Sequence, residues 1–309
     1  MPLFVKKTAL LVKPEVTVGT DSVPTGAANA VQVDSITVNP INAKTAERNP
    51  IRPYFGGKEK VTASVYSTVE IELPFSGSGA AGTVPQWDTL MQICGASSTV
   101  VAATSVTYAP VSSALKTATV YVNVDGTNHI ITSCRGTVEL AANAEGLPVW
   151  KFMLTGFHTP LGAAGLPAVT YAGIADPVAI NAANSTLTLH TRALVASAFG
   201  LKLGAKVMYR NRIGAQRVDL TDRESEFSCS FENEAVGTKD WIAAARTNAK
   251  GALAFVHGLT AGNIITINAA IAQLWTAQYG TDEDVQTIEA TGGLLPGSGG
   301  NNEWSIVLT

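Results

Sequence analysis

The sequence is short of charge, cysteine and long apolar runs, and each shortage removes a class of function. Charged residues make up 15% of 309, with a formal net charge of −3, so no broad basic footprint is present to hold nucleic acid tightly. The three cysteines, Cys94, Cys134 and Cys229, are isolated and odd in number; they read as reduced, semi-buried side chains of a cytoplasmic fold, not as a disulfide frame. Apolar stretches are no longer than strands, so no membrane insertion is expected. After Lys6-Lys7 the apolar run Thr8 to Val12 is too short for a signal peptide, which makes the sequon Asn184-Ser185-Thr186 a chance match.

Catalytic and metal constellations are missing as well. His129, His158, His190 and His257 stand apart, without a second His or Cys at ligand spacing. No Gly-x-Ser-x-Gly elbow and no Cys–His–Asp arrangement can be named. Thr281-Asp282-Glu283-Asp284 lacks the alternating ligands of a calcium loop and reads as a solvated turn. Gly77-Ser78-Gly79-Ala80-Ala81-Gly82 spells GxGxxG, but Ala96 to Val124 holds no Asp or Glu for a ribose. The flanking strands alternate instead of running continuously apolar. The segment is read as a glycine loop leading to a helix cap, and no cofactor or enzyme activity is expected.

What is present is a faint internal repeat. Val33-x-Ser35 followed by Arg48-Asn49-Pro50-Ile51 is answered by Val195-x-Ser197 and Arg210-Asn211-Arg212-Ile213, with Lys44 and Lys206 between. A strand ending at Phe75 is answered by one ending at Phe231, and Gly82 to Trp87 by Gly237 to Trp241. His129 to Thr132 is answered by Asn263 to Thr266, and Trp150 to Thr155 by Trp304 to Thr309. Five matches in one order point to tandem duplication. The division expected is a first module over 1–160 with an N-terminal arm, a Pro/Gly/Ala-rich linker over 161–192, and a second module over 193–309.

Strand signals dominate each copy. Val69 to Leu73 and Glu226 to Phe231 alternate apolar and polar. Thr119 to Val124 runs into Asp125-Gly126, a tight-turn pair, and His129 to Thr132 resumes the ladder. One short helix per copy is expected, Val84 to about Cys94 capped by Thr83, and its counterpart capped by Thr238 with Asp240 early. The fold class is therefore mainly β, two sandwich or partial-barrel modules each with one flanking helix. The segments Gly19 to Asn29 and His158 to Arg192 are apolar-dotted and structureless; they pack either on a neighbouring subunit or on their own chain. Trp87 and Trp241 read as core anchors. Arg48 and Arg210 are either ion-pair partners or, as preferred here, subunit-joining forks.

Seven stretches remain to be placed: Leu11 to Glu15 with Gly19 to Ala30, Arg52-Pro53-Tyr54-Phe55-Gly56, Leu90 to Gly95, Val106 to Ser113, Val124 to His129, Arg135-Gly136-Thr137, and Leu220-Thr221-Asp222-Arg223. In their number and order they resemble one family, the major tail tube proteins of long-tailed (siphovirus-type) bacteriophages. Lys58-Glu59-Lys60 and Gln286 to Gly300 depart from the pattern. The resemblance implies a virion structural subunit, assembled in the bacterial host cytoplasm into stacked rings through which DNA leaves the head. Its partners would be itself, the tape-measure protein and genomic DNA in the lumen, and tail terminator and tail-tip proteins. Six like modules per ring would be supplied by three chains, or six chains if the second module decorates the outside. Arg48, Arg52, Tyr54, Arg210 and Arg212 are the candidate subunit interface. Glu70, Glu72, Glu224 and Glu226 are candidates for an acidic lumen wall, the alternative being ordinary outer-surface charges. The competing function is a tandem β-sandwich that binds surfaces or carbohydrate through a row of exposed aromatics drawn from Trp87, Trp241, Tyr54 and Tyr209.

Overall fold

The computed structural model describes residues 2–309. In chain order its elements are β1 (Thr8–Pro14), α1 (Gly26–Asn29), β2 (Ala30–Val31), β3 (Ser35–Glu47), β4 (Lys60–Pro74), α2 (Asp88–Ile93), β5 (Ala96–Val101), β6 (Ser105–Pro110), β7 (Ala118–Val124), β8 (Thr127–Asn143), β9 (Val149–His158) and β10 (Gly162–Ala163). The second half continues with β11 (Ser185–Leu189), β12 (Arg192–Leu194), β13 (Ala196–Lys202), β14 (Ala205–Arg212), β15 (Ala215–Arg223), β16 (Glu226–Glu232), α3 (Trp241–Arg246), β17 (Lys250–His257), β18 (Ile265–Asp282), β19 (Val285–Leu294) and β20 (Ser305–Leu308). The protein is mainly β, with antiparallel pairing throughout.

One pairing scheme occurs in each half. The hairpin β3/β4 sends β4 against β9, and β9 returns to β8, the second arm of the hairpin β7/β8. Correspondingly β13 pairs β16, β16 pairs β19, β19 returns to β18, and β18 forms a hairpin with β17. The entering strands agree too, β1 lying on β7 and β11 on β17. A shared irregularity fixes the register between the halves. Buried Ser67 donates its hydroxyl to the Pro40 carbonyl at 2.7 Å, and buried Ser225 donates to Leu203 at 2.9 Å. Each bond staples the outer part of a hairpin where its ladder breaks.

Three expectations need correction. Trp304 to Leu308 is not the counterpart of Trp150 to Leu154, because β19 fills that place. Instead β20 lies between β18 and β6, an extra strand that pairs with a hairpin present only in the first half. Thr83 caps nothing: α2 starts at Asp88, since the Gln86 amide is taken by the Gly173 carbonyl and Asp88 turns back to Pro85. At α3 the cap is Asp240, whose carboxylate accepts from the Ala243 amide at 2.7 Å, and not Thr238.

The segment between the halves is ordered by its own chain. Ala164 donates to Gly126, Ala175 to Gly77 and Ile180 to Gly146, while Asn123 holds the Ala164 and Gly165 carbonyls. The early segment behaves alike, with the Ser22 amide on Thr119 and the Thr170 amide on the Gly26 carbonyl. These backbones bond within the chain, and the segment between the halves also meets the second half, where Asn263 donates to the Asp176 carbonyl at 3.1 Å. The strand Ser185–Leu189 also falls within the expected linker, and it belongs to the second half's sheet.

A single apolar core runs through both halves. Phe75 packs edge-on against Trp150 at 5.0 Å, Trp87 against Trp150 at 5.8 Å, and Phe75 reaches Phe255 of the second half at 6.3 Å. Each such side chain contributes roughly 1.5–3 kcal/mol when fully buried.

Candidate assembly surface

The two halves join edge to edge. The last part of β8 accepts β13 in the register Glu139↔Lys202, Leu140↔Leu201, Ala141↔Gly200, Ala142↔Phe199 and Asn143↔Ala198. The sheet therefore continues β3-β4-β9-β8-β13-β16-β19-β18 across the junction. Because side chains alternate along strands, one face of these strands meets the core through Ile71, Phe152, Leu140, Leu201 and Phe227, and the other faces solvent.

The solvent face carries a cross-strand row of alternating charge, Glu72–Lys151–Glu139–Lys202–Glu226. Lys151 reaches Glu72 at 2.6 Å and Lys202 reaches Glu139 at 3.8 Å. The Lys151 hydrogen bond holds the Glu72 carboxyl below its ordinary range and raises Lys151 in return. Exposed pairs of this kind contribute at most about 1 kcal/mol each. Glu70 and Glu289 stand on the same face. The face thus holds Glu70, Glu72, Glu139, Glu226, Glu232 and Glu289 against Lys151, Lys202 and Arg135, acidic in balance but mixed.

Of the candidate lumen residues, the structure brings Glu70, Glu72 and Glu226 to one face. Glu224 sits apart, in the break between β15 and β16, where its amide bonds the Gly204 carbonyl. Matching positions in the two halves also differ from the sequence alignment: the serine staples place Glu226 opposite Thr68 in the scheme, not opposite a glutamate. Glu139, Lys151 and Lys202 were not singled out in the sequence. Only their alternation was visible there, and a cross-strand row depends on register.

The candidate interface residues lie on two hairpin tips. Arg48 pairs with Glu59 at 2.7 Å, Arg52 stands over the Tyr54 ring at 6.0 Å, and Arg210 approaches Asp219 at 3.9 Å. Arg212 donates to the neighbouring Asn211 carbonyl. The tips are exposed, with Ile51, Tyr54, Phe55 and Ile213 facing solvent.

Two other arginines do the joining within the chain. Arg135 of β8 donates to the Val218 carbonyl at 2.7 Å and to Leu115 at 3.1 Å, and approaches Asp219 at 3.7 Å. Burial pulls its guanidinium below the ordinary range while Asp219 and Glu15 oppose that shift. Arg223 of β15 holds Glu303 at 2.9 Å and donates to the Val111 carbonyl. Tyr209 of β14 stacks on Tyr66 at 4.9 Å and meets Phe157. The hairpin β14/β15, a two-stranded sheet of its own, is thereby clamped onto the first half. In sequence Arg135 and Arg223 were isolated cations in alternating strands; their partners lie up to 112 residues away.

The other sequence candidates resolve into structure. Trp87 and Trp241 are fully buried, and Tyr209 is stacked inside the junction, so the aromatics form no exposed row. The glycine loop packs on the turn at Gly262-Asn263: a Cβ at Gly77 would lie 2.1 Å from the Gly262 carbonyl oxygen, and the Gly77 amide is held by Asn263. Glycine is required there by close backbone approach, not by phosphate. Cys94, Cys134 and Cys229 are buried and unpaired, with burial pushing Cys229 up to about 12. No helix among the described residues is long and apolar enough to cross a membrane.

With a β-rich chain whose halves share a sheet and whose conspicuous features are edges and tips, the class is a structural assembly protein. The chain belongs to the phage tail tube protein family, whose model matches residues 6–295. A search among curated proteins finds no match. Membership places the chain in the virion tail, as a structural subunit that builds a tube with copies of itself and other tail components.

Proposed function

We propose that this chain is the tail tube subunit of a long-tailed phage, built of modules over 1–160 and 193–309 joined by 161–192, whose strand Ser185–Leu189 already pairs in the second module's sheet. Three chains make one ring, and stacked rings form the channel for DNA. The observation that carries this reading is the edge-to-edge junction of β8 with β13. In this reading the junction is one module receiving the next, and it supports a chain of two modules supplying within itself one of the contacts a ring of six would repeat.

The polar sheet face, with Glu70, Glu72 and Glu226, lines the lumen in this reading. An acidic balance keeps the duplex backbone off the wall over a Debye length of about 8 Å, and the two lysines are engaged by glutamates, which limits phosphate contacts. The tips bearing Arg48, Arg52, Tyr54, Arg210 and Arg212 meet neighbouring subunits. The tape-measure protein fills the lumen before DNA does, terminator and tip proteins close the ends, and assembly takes place in the host cytoplasm. The subunit carries no cofactor and catalyses nothing. Negative-stain electron microscopy of the purified protein tests the proposal: rings or tubes with threefold symmetry are expected. True sixfold symmetry would refute the stoichiometry, and a protein that stays monomeric at high concentration would refute the tube.

A further inference from the structure

The sheet that crosses the chain has two open ends. At one end, among the described residues, β3 pairs with β4 alone and its outer edge is unpaired. At the other, β17 and β20 cover β18 only up to Gln273, so Thr276 to Asp282 pair with β19 alone. Unpaired edges of this length are templates for another strand. These two are not arbitrary. In the pairing scheme β3 occupies the place of β13, and the end of β18 occupies the place of the end of β8. The two strands that are joined inside the chain thus have their counterparts left open at its extremities.

We propose that Gln278 to Asp282 of one copy pair antiparallel with Ser35 to Asn39 of the next, reproducing the internal junction between copies. This rests on the ring reading above and adds the contact and its register. The register follows from pairings already fixed. Ser67 and Ser225 staple Pro40 and Leu203, which makes Asn39 the counterpart of Lys202. Ser35↔Glu72 and Ala198↔Ser230 then correspond, as do Glu72↔Lys151 and Ser230↔Glu289. Lys151↔Glu139 and Glu289↔Gln278 close the chain of equivalences. Internal Glu139↔Lys202 therefore becomes Gln278↔Asn39 between copies, and Leu140↔Leu201 becomes Tyr279↔Val38.

The chemistry agrees with that register. Tyr279 stands opposite core residue Ile288 and Val38 opposite core residue Val69, so both point to the apolar side. Tyr279 is 59% exposed in the single chain, an aromatic left largely uncovered on the core side of a strand. The ion pair of the internal junction is replaced on the polar side by two amides, which can bond each other without charge. Neither Ser35–Asn39 nor Gln278–Gly280 carries lysine or proline, the residues that usually blunt an edge. Proline first appears at Pro40, and it lacks the amide that its counterpart Leu203 donates to Val138. The window therefore ends at Asn39.

The test is site-directed cross-linking of the full chain. Opposed residues place their Cβ atoms about 4.5–5.5 Å apart, near the span a disulfide closes, and the native cysteines are buried. Asn39→Cys protein mixed with Gln278→Cys protein, assembled and mildly oxidised, should give covalent dimers; neither alone should. The double variant should give a ladder ending at a closed trimer. Ser35→Cys mixed with Gln278→Cys, displaced by four residues or roughly 13 Å, should not link. Rings seen by microscopy with no Asn39–Gln278 link, or with the Ser35 pair linking instead, overturn this contact and leave the tube standing. Persistent monomers overturn both.

Discussion

Arg135→Met should detach the second hairpin from the first half without unfolding the protein. The arginine side chain is 12% exposed and donates to the Val218 and Leu115 carbonyls. Methionine keeps the apolar stem but leaves two partly buried carbonyls without their charged donor, at about 1–3 kcal/mol each. Relief from burying the guanidinium returns part of that, so the expected loss is about 2–4 kcal/mol. The effect should be local. A two-stranded hairpin is marginal by itself, and β14/β15 is held by the Arg135 and Arg223 clamps, the Tyr209 stack and the buried Val218. Hydrogen exchange should accelerate over Ala205 to Arg223 while β4 and β9 keep their protection, and urea unfolding should show a lower midpoint with a somewhat smaller slope, because the detached hairpin has already exposed its surface. A change under about 0.5 kcal/mol with hairpin protection intact would refute the clamp. Equal acceleration in β4 and β9 would show that the cost is global and the reasoning wrong.

Glu283 and Asp284 both adopt positive φ, 45° and 67°, in the β18/β19 turn, where Asn-Gly is the favoured pair; replacing them by Asn-Gly should raise stability by about 1 kcal/mol, read as a higher Tm. Asp240→Ala removes the cap of α3 and should cost about 1 kcal/mol in denaturant midpoint. Gly77→Ala should be clearly destabilising because its Cβ would meet the Gly262 backbone, whereas Gly126→Ala, with open space around it but φ at 102°, should cost only turn strain. Burial lowers the pKa of His129, His190 and His257, so the unfolded chain takes up protons first. Stability is therefore full above about pH 6.5 and falls on acidification below it, by up to about 1.4 kcal/mol per pH unit for each such histidine. His257→Gln should flatten that slope, and a flat profile between pH 7 and 5.5 would count against the assignment.

The fold was legible in the sequence where local chemistry decides it. Alternation marked β4 and β16, Asp125-Gly126 marked the β7/β8 turn with both residues at positive φ, and Trp87 and Trp241 proved to be core. Helix starts were misread because the caps were assigned from residue type, while the structure spends the Gln86 amide on Gly173 and gives the cap of α3 to the nearer Asp240. Trp304 was misread for a different reason. A tryptophan followed by an alternating strand fits any β slot, and only pairing shows that β20 serves the hairpin β5/β6. The charged row and the arginine clamps were not legible at all, since a one-residue change of register would turn Glu139 and Lys202 to the other face.

That dependence on register also explains why the open edges are informative. An edge strand that must stay single is usually shortened, bent or charged. Here the two longest strands of the shared sheet, β8 and β18, each have a break in register, after Thr132 and after Leu274. In each, the part before the break serves the layer of β7 or β17, and the part after it projects into the shared sheet. In β8 the projecting part is covered by β13, and Leu140 is buried against Leu201. In β18 it is bare, and Tyr279 is exposed at the position corresponding to Leu140. That part of β18 has its ladder with β19 on one side, and on the other an open edge whose core-side aromatic stays exposed in the single chain. A further β3 arriving there would cover it, and the chain carries such a β3, with Val38 and Ile36 on the matching side, at its opposite end.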